Sequence, residues 1–169
     1  MSGMLVLYFS VYGTAERVAM EIARQTGAEF QRIEPTVPYD SDRNHYDALS
    51  RRAFMECERD LRPAIKNVLP VAAYDIIFLG YPIWWYALPM IVHTLLERYD
   101  FAGKTLVPFN THMGSRDAGT WQLIRQLAPE AHVPDGLSVE MWDSEAKVKS
   151  MVFDWLKGLN MIERPRAAM

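Results

Sequence analysis

The stretch Met4–Ala23, MLVLYFSVYGTAERVAMEIA, changes its period once, and that change decides the fold. Met4–Phe9 is an unbroken apolar run, as a strand buried on both faces requires. From Ala15 onward the small and apolar residues recur at i, i+3, i+4, i+7 and i+8, as Ala15, Val18, Ala19, Ile22 and Ala23, followed by Thr26. That stripe predicts a helix laid on a sheet, and Gly27 supplies its C-terminal stop. Only Ser10-Val11-Tyr12-Gly13-Thr14 separates the two, so the strand turns directly into the helix.

The same alternation repeats along the chain. Asp75–Gly80 (DIIFLG) and Thr105–Phe109 (TLVPF) are further short apolar runs, Glu29–Glu34 reads as a weaker strand, and Leu137–Met141 alternates. Helical stripes follow at Leu88, Ile91, Val92, Leu95 and Leu96, and at Val148, Met151, Val152, Trp155, Leu156 and Leu159. Less regular helices are expected over about 42–59, with Tyr46, Leu49, Ala53 and Cys57 inward, and over about 115–128, with Trp121, Ile124 and Ala128 inward. Strand followed by helix, five times over, with connections long enough for right-handed crossovers, predicts a doubly wound α/β fold. In it a parallel sheet carries helices on both faces. One domain spans residues 1–169, with Pro35–Asp42 a loop, Arg62–Pro70 a connector and Glu163–Met169 a frayed tail.

Composition excludes several classes of function. The chain has 169 residues, half of them hydrophobic, with 18 Lys and Arg against 21 Asp and Glu and a net charge of -3. A chain of this length buries enough apolar surface to need neither metal nor disulfide, and its charge is wrong for a nucleic-acid-binding face. The single Cys57 cannot form an internal bridge, and with four scattered histidines it makes no spaced ligand set for a metal. It reads as a core residue of a cytoplasmic protein. Met4–Phe9 is too short for the apolar region of a signal sequence. Residues 76–96 are uncharged over a length that could span a bilayer, but Gly80, Pro82 and Pro89 break them into strand, loop and helix, so no membrane partner is expected.

In an open parallel sheet ligands bind beyond the carboxyl ends of the strands, which draws attention to loops 10–14, 80–89 and 110–116. The first can cradle a phosphate. The helix N-terminus offers free N–H groups and partial positive charge, Gly13 permits a tight turn, and Ser10 and Thr14 add hydroxyls. The plainer alternative makes Thr14 an N-cap and Ser10 a turn former. Neither a Walker A loop nor a Gly-x-Gly-x-x-Gly dinucleotide fingerprint is present. The second loop, Gly80–Pro89, packs four aromatics and two prolines into ten residues. Adjacent Trp84 and Trp85 cannot both be core at a strand's end, so one or both face a ligand or, alternatively, a homodimer contact. Tyr39 and Tyr81 are candidates to cap the mouth of such a site.

Ser10-Val11-Tyr12-Gly13-Thr14-Ala15-Glu16 resembles the phosphate loop of flavodoxin-like proteins, most closely the Ser-x-Thr-Gly-Thr-Ala-Glu form in the flavodoxin modules of diflavin reductases. Tyr12 stands where that pattern has threonine, which leaves it a backbone N–H and costs one hydrogen bond, about 1–3 kcal/mol to a charged acceptor. Gly-Tyr-Pro-Ile-Trp-Trp at 80–85, followed by Leu88-Pro89-Met90, resembles a subgroup of short flavodoxins and flavin-dependent oxidoreductases. Asn110–Ser115 is similar to that subgroup's Thr-His-Gly-Gly-Ser, with Met113 in place of a glycine and so a narrower approach to the flavin edge.

The resemblance implies a flavodoxin-like five-stranded sheet of order 2-1-3-4-5 and FMN as cofactor. It puts Ser10, Tyr12, Gly13, Thr14 and Ala15 at the phosphate, and Pro82, Ile83, Trp84, Trp85, Thr111, His112 and Gly114 at the ring. His112 and Arg116 become the candidate catalytic groups, which by charge or hydrogen bonding near flavin N1 and O2 would favour two-electron transfer. The implied activity is that of an NAD(P)H-dependent oxidoreductase acting on a quinone-like or other small acceptor. An electron carrier to redox proteins and a flavin-free interaction domain are the alternatives.

Overall fold

Every apolar run becomes a strand and every stripe a helix in the computed structural model, which describes residues 3–162. The strands are β1 (Met4–Tyr8), β2 (Glu29–Arg32), β3 (Ile76–Pro82), β4 (Thr105–His112) and β5 (Leu137–Glu140). The helices are α1 (Thr14–Thr26), α2 (Tyr46–Glu58), α3 (Met90–Arg98), α4 (Thr120–Leu127) and α5 (Glu145–Gly158). The strands form one parallel sheet in the order β2-β1-β3-β4-β5, as expected. The tail expected to fray, 163–169, lies outside the described residues. No described helix is long and apolar enough to cross a membrane.

Alternation along the strands divides the core between the two faces of the sheet. Val6 and Tyr8 of β1, with Phe78, Val107 and Phe109, pack under Val18, Ala19 and Ile22 of α1 and Val148, Val152 and Leu156 of α5. Leu5, Leu7, Ile77, Leu79 and Leu106 face the other way, under Leu49 of α2, Ile91, Val92 and Leu95 of α3 and Ile124 of α4. Gly80 belongs to this packing, because a Cβ there would lie 2.1 Å from Phe109 Cζ.

Four expectations are corrected. Tyr46 and Cys57 do not face inward on α2; Tyr46 is exposed, Cys57 is exposed, and Glu56 is buried in their stead. A carboxylate can occupy that inward position because Tyr39 donates a hydrogen bond to it at 2.5 Å and Arg52 pairs with it at 3.3 Å. The helix expected from about 115 starts at Thr120, since Gly114, Arg116, Ala118 and Gly119 all have positive φ and hold the segment in turns. β3 runs two residues past Gly80, to Pro82, and β4 three past Phe109, to His112. Asn110 can be buried in the sheet because its Oδ1 accepts from Trp121 Nε1 at 3.2 Å and from Ser138 Oγ at 2.9 Å, while its amide donates to the Arg116 carbonyl at 2.9 Å. That extension carries Thr111 and His112 to the sheet's carboxyl edge as rigid strand residues.

Candidate functional site

Ser10 is buried, and its Oγ accepts a hydrogen bond from Gly13 N–H at 3.0 Å, closing the turn that leads into α1. Gly13 itself is the N-cap, at φ 86°, a left-handed conformation that glycine takes at little cost. Thr14 is therefore not the cap but the first helical residue, and its Oγ1 lies 3.3 Å from Thr111 Oγ1 at the end of β4. The N–H groups of Val11, Tyr12, Thr14, Ala15 and Glu16 have no backbone partner among the described residues. The turn is open at Gly13, where even an added Cβ would touch nothing within 4 Å. Unpaired amides at the positive end of a helix bind an anion.

Beside this turn lies a cavity of about 330 Å³, lined by Val11, Tyr12 and Thr14 from the first loop, Pro82, Ile83 and Trp84 from the second, and Thr111, His112 and Met113 from the third. The three loops singled out by their place at strand ends do converge. The other cofactor candidates, Ser10, Gly13, Ala15, Trp85 and Gly114, are not among its lining residues; Ser10 and Gly13 shape the turn instead.

His112 is buried, and its Nδ1 accepts from the backbone N–H groups of Gly114, at 2.9 Å, and Arg116, at 3.1 Å. With that lone pair occupied by donors, the neutral ring carries its proton on Nε2 and is a hydrogen-bond donor from that atom. Arg116 contributes backbone. It sits at φ 56°, gives its N–H to His112 and accepts from Asn110, while its side chain is exposed and does not line the cavity.

Trp84 and Trp85 part company. Trp84 is half-buried, edge-on to Phe9 and tilted against Tyr39, each at 5.3 Å between ring centres, and these contacts hold it where it lines the cavity. Trp85 and Tyr86 form the two central residues of a tight turn, with Ala87 N–H donating to the Trp84 carbonyl at 3.0 Å. Their φ angles, 53° and 55°, are those of a type I′ turn, which Asn-Gly favours and bulky residues resist, at on the order of 1–3 kcal/mol each. The Trp85 indole is held by a hydrogen bond from Nε1 to the Ser50 carbonyl at 2.9 Å and by Phe54 at 5.1 Å. It helps line a second cavity of about 260 Å³, which shares Tyr46, Ile83, Trp84 and Met113 with the first.

Neither candidate cap stands at the mouth. Tyr81 is fully buried with its hydroxyl 2.7 Å from Thr120 Oγ1, and burial raises its phenol above the ordinary range. Tyr39 is buried on Glu56, and burial, then that carboxylate, raise its phenol far above the ordinary value. Both are core residues because each phenol found an internal partner. Tyr12 has a buried hydroxyl with no partner among the described residues; burial first, then the nearby Tyr46 and Asp40, raise its pKa.

The lining residues missed by reading the sequence are Val11, within a loop that was singled out, and Arg43, Tyr46 and Met141. Arg43 is the charged side chain among those lining the first cavity, with its guanidinium 5.5 Å from the centre of the Tyr12 ring. Met141 is placed by Arg17 of α1, which donates to the carbonyls of Asp143 at 2.6 Å and of Glu140 and Met141 at 3.3 Å. Arg43 and Met141 lie in segments with no glycine turn or aromatic cluster, and Tyr46 reads from its spacing as a core residue of α2.

A parallel 2-1-3-4-5 sheet, with an amide-lined turn and an aromatic cavity at its carboxyl edge, puts the chain in the flavodoxin-like class of doubly wound α/β proteins, whose ligands bind at that edge. The flavodoxin family model matches residues 3–157, and the chain belongs to that family. No curated protein matches significantly. Among solved structures, a candidate flavoprotein from Bacteroides eggerthii is 31% identical, with 95% of this chain and 99% of that one covered and a TM-score of 0.81. A second, from Bacteroides uniformis, is also 31% identical, covering 92% and 98%, with a TM-score of 0.79. A Lactobacillus acidophilus flavoprotein solved in complex with FMN is 20% identical, covers 82% and 93%, has a TM-score of 0.69, and shows the shared fold.

Proposed function

We propose that this flavodoxin-family protein binds FMN and acts as an NAD(P)H-dependent oxidoreductase, reducing a quinone-like or other small acceptor by two-electron transfer. The residues present suit that cofactor. The unpaired amides of Val11, Tyr12, Thr14, Ala15 and Glu16 match a phosphate's need for several donors without a buried cation, and the apolar cavity between Trp84 and the Thr111–Met113 edge suits a flat ring system. FMN in the structure from Lactobacillus acidophilus supports the choice.

When bound, FMN supplies two-electron redox chemistry: a hydride from NAD(P)H and a proton from water together turn a quinone into a quinol. The chain's own residues bind and orient. Ser10 and Gly13 hold the anion-binding turn in shape, Trp84 forms a wall packed on Phe9, and His112 offers an N–H from Nε2 while its Nδ1 accepts from the backbone. Arg43 brings positive charge to the cavity's edge. The Arg116 side chain, expected to supply charge, is exposed and does not line the cavity, whereas Arg43 does.

One observation favours an enzyme over an electron carrier: the second cavity opens beside the first and shares four lining residues with it. A carrier needs only an exposed ring edge, whereas hydride transfer needs a small molecule held against the ring. A net charge of -3 also offers little steering toward a protein partner. The lone thiol suits the reducing conditions of the cytoplasm. The test is to load purified protein with FMN, desalt it, and follow NAD(P)H oxidation with a naphthoquinone. Retained yellow colour with steady turnover supports the reading. A colourless product refutes FMN binding, and a yellow protein that oxidises no NAD(P)H but relays electrons to a redox protein is a carrier.

A further inference from the structure

We infer that the second cavity is the acceptor's binding site and that it selects neutral, planar aromatic molecules, excluding anionic ones; this rests on the oxidoreductase reading above. The cavity's walls are Trp84, Trp85 and Tyr86 on one side and Leu49 and Ala53 of α2 on another. Indole and phenol faces stack on flat rings, so the shape and chemistry suit one or two fused rings. No residue that lines it is charged; its side-chain hydroxyls are those of Tyr46, Ser50, Tyr86 and Ser115, which suit a carbonyl oxygen. A sulfonate or carboxylate entering it would lose hydration with no cation to replace it. For the same reason the pyrophosphate of a pyridine dinucleotide has no seat there. The volume of about 260 Å³ is small for a dinucleotide and suits a compact acceptor.

The strained turn is the second observation. Trp85 and Tyr86 hold left-handed φ angles that side chains resist, yet the Trp85 indole is fastened to Ser50 and packed on Phe54 so that the turn is kept in this shape. Strain retained by such fastening points to a use for the aromatic pair at this place. The shared wall of Tyr46, Ile83, Trp84 and Met113 puts an occupant of this cavity next to whatever ring fills the first.

The test uses FMN-loaded protein, calorimetric titration with unsubstituted naphthoquinone and with its sulfonated analogue, and steady-state turnover of both. The neutral quinone binds saturably, and the sulfonate binds at least about tenfold more weakly. Ser50→Phe fills the cavity and weakens naphthoquinone binding about tenfold while retained FMN is unchanged. Tyr86→Gly removes a wall and relieves the φ strain, so it weakens the quinone without lowering the melting temperature, which separates loss of the site from loss of the fold. Equal affinity for the two quinones, or unaltered quinone affinity in both variants, overturns the inference. Turnover with unaltered KM in both variants leaves the oxidoreductase reading standing and removes this site. Selective binding with no NAD(P)H oxidation keeps the site and removes that reading.

Discussion

Replacing Tyr39 by Phe removes one oxygen from the protein and tests how the second loop is held. Tyr39 donates to Glu56 at 2.5 Å, lies under the Arg52 guanidinium at 3.6 Å, and packs on Phe9 at 5.4 Å and Trp84 at 5.3 Å. Phe keeps the ring contacts and deletes only the donor to a buried carboxylate. A hydrogen bond to a charged group contributes about 1.5–3 kcal/mol, and in a chain of this size each kcal/mol shifts the melting temperature by about 2–4 °C, so the expected loss is about 3–12 °C. The pH dependence is the sharper measurement. The Tyr39 phenol has its pKa raised in the folded state by burial and by Glu56. Its stabilisation is therefore complete below the unfolded phenol pKa of about 10 and is lost as pH rises beyond it, at about 1.4 kcal/mol per pH unit. Urea titrations from neutrality to pH about 11 should show wild type losing stability faster than Tyr39→Phe above pH about 10, so that the two converge. Equal stability at neutral pH, or parallel alkaline limbs, would refute the buried Tyr39–Glu56 bond as described.

Gly80→Ala places a Cβ 2.1 Å from Phe109 Cζ and 2.2 Å from Cε2 in the middle of the sheet, and should cost about 1–3 kcal/mol or more by thermal melting. Gly13→Ala meets no steric neighbour but must hold φ 86°, at about 1–2 kcal/mol, so the melting temperature should fall by a few degrees while FMN retention after desalting falls clearly. Asp143 has its pKa lowered first by the hydrogen bond from Lys147, so it stabilises the fold above the usual carboxylate range and that support is lost as pH falls through its folded value. Asp143→Asn should accordingly flatten the acid side of the stability profile. An unchanged acid limb would show that the group is not coupled to folding.

The two-period alternation made the parallel sheet and the stripes of α1 and α3 legible, because burial on both faces writes itself into composition, while the strand order came with the resemblance of the loops. The tight turn between β1 and α1 was equally legible, since Gly13 sits where a strand gives way to a helix. The inward side of α2 was not: Glu56, paired with Arg52 one turn back on the same helix, looks solvent-facing until Tyr39 from the preceding loop satisfies it. The same holds for Asn110, a polar residue that stays in strand because Trp121 and Ser138 reach it.

By itself the sequence determined which segments are buried, and hence a parallel sheet whose carboxyl edge carries three chemically distinctive loops. Tertiary structure alone decided what those loops do to one another. It locked the His112 tautomer, kept Trp84 in the wall while Trp85 and Tyr86 turned into a second cavity, and delivered Arg43, Tyr46 and Met141 to the rim. The physical reason is that periodicity reports only whether a side chain meets water. Hydrogen-bond satisfaction and cavity walls depend on partners distant along the chain, which become neighbours when the sheet closes its order.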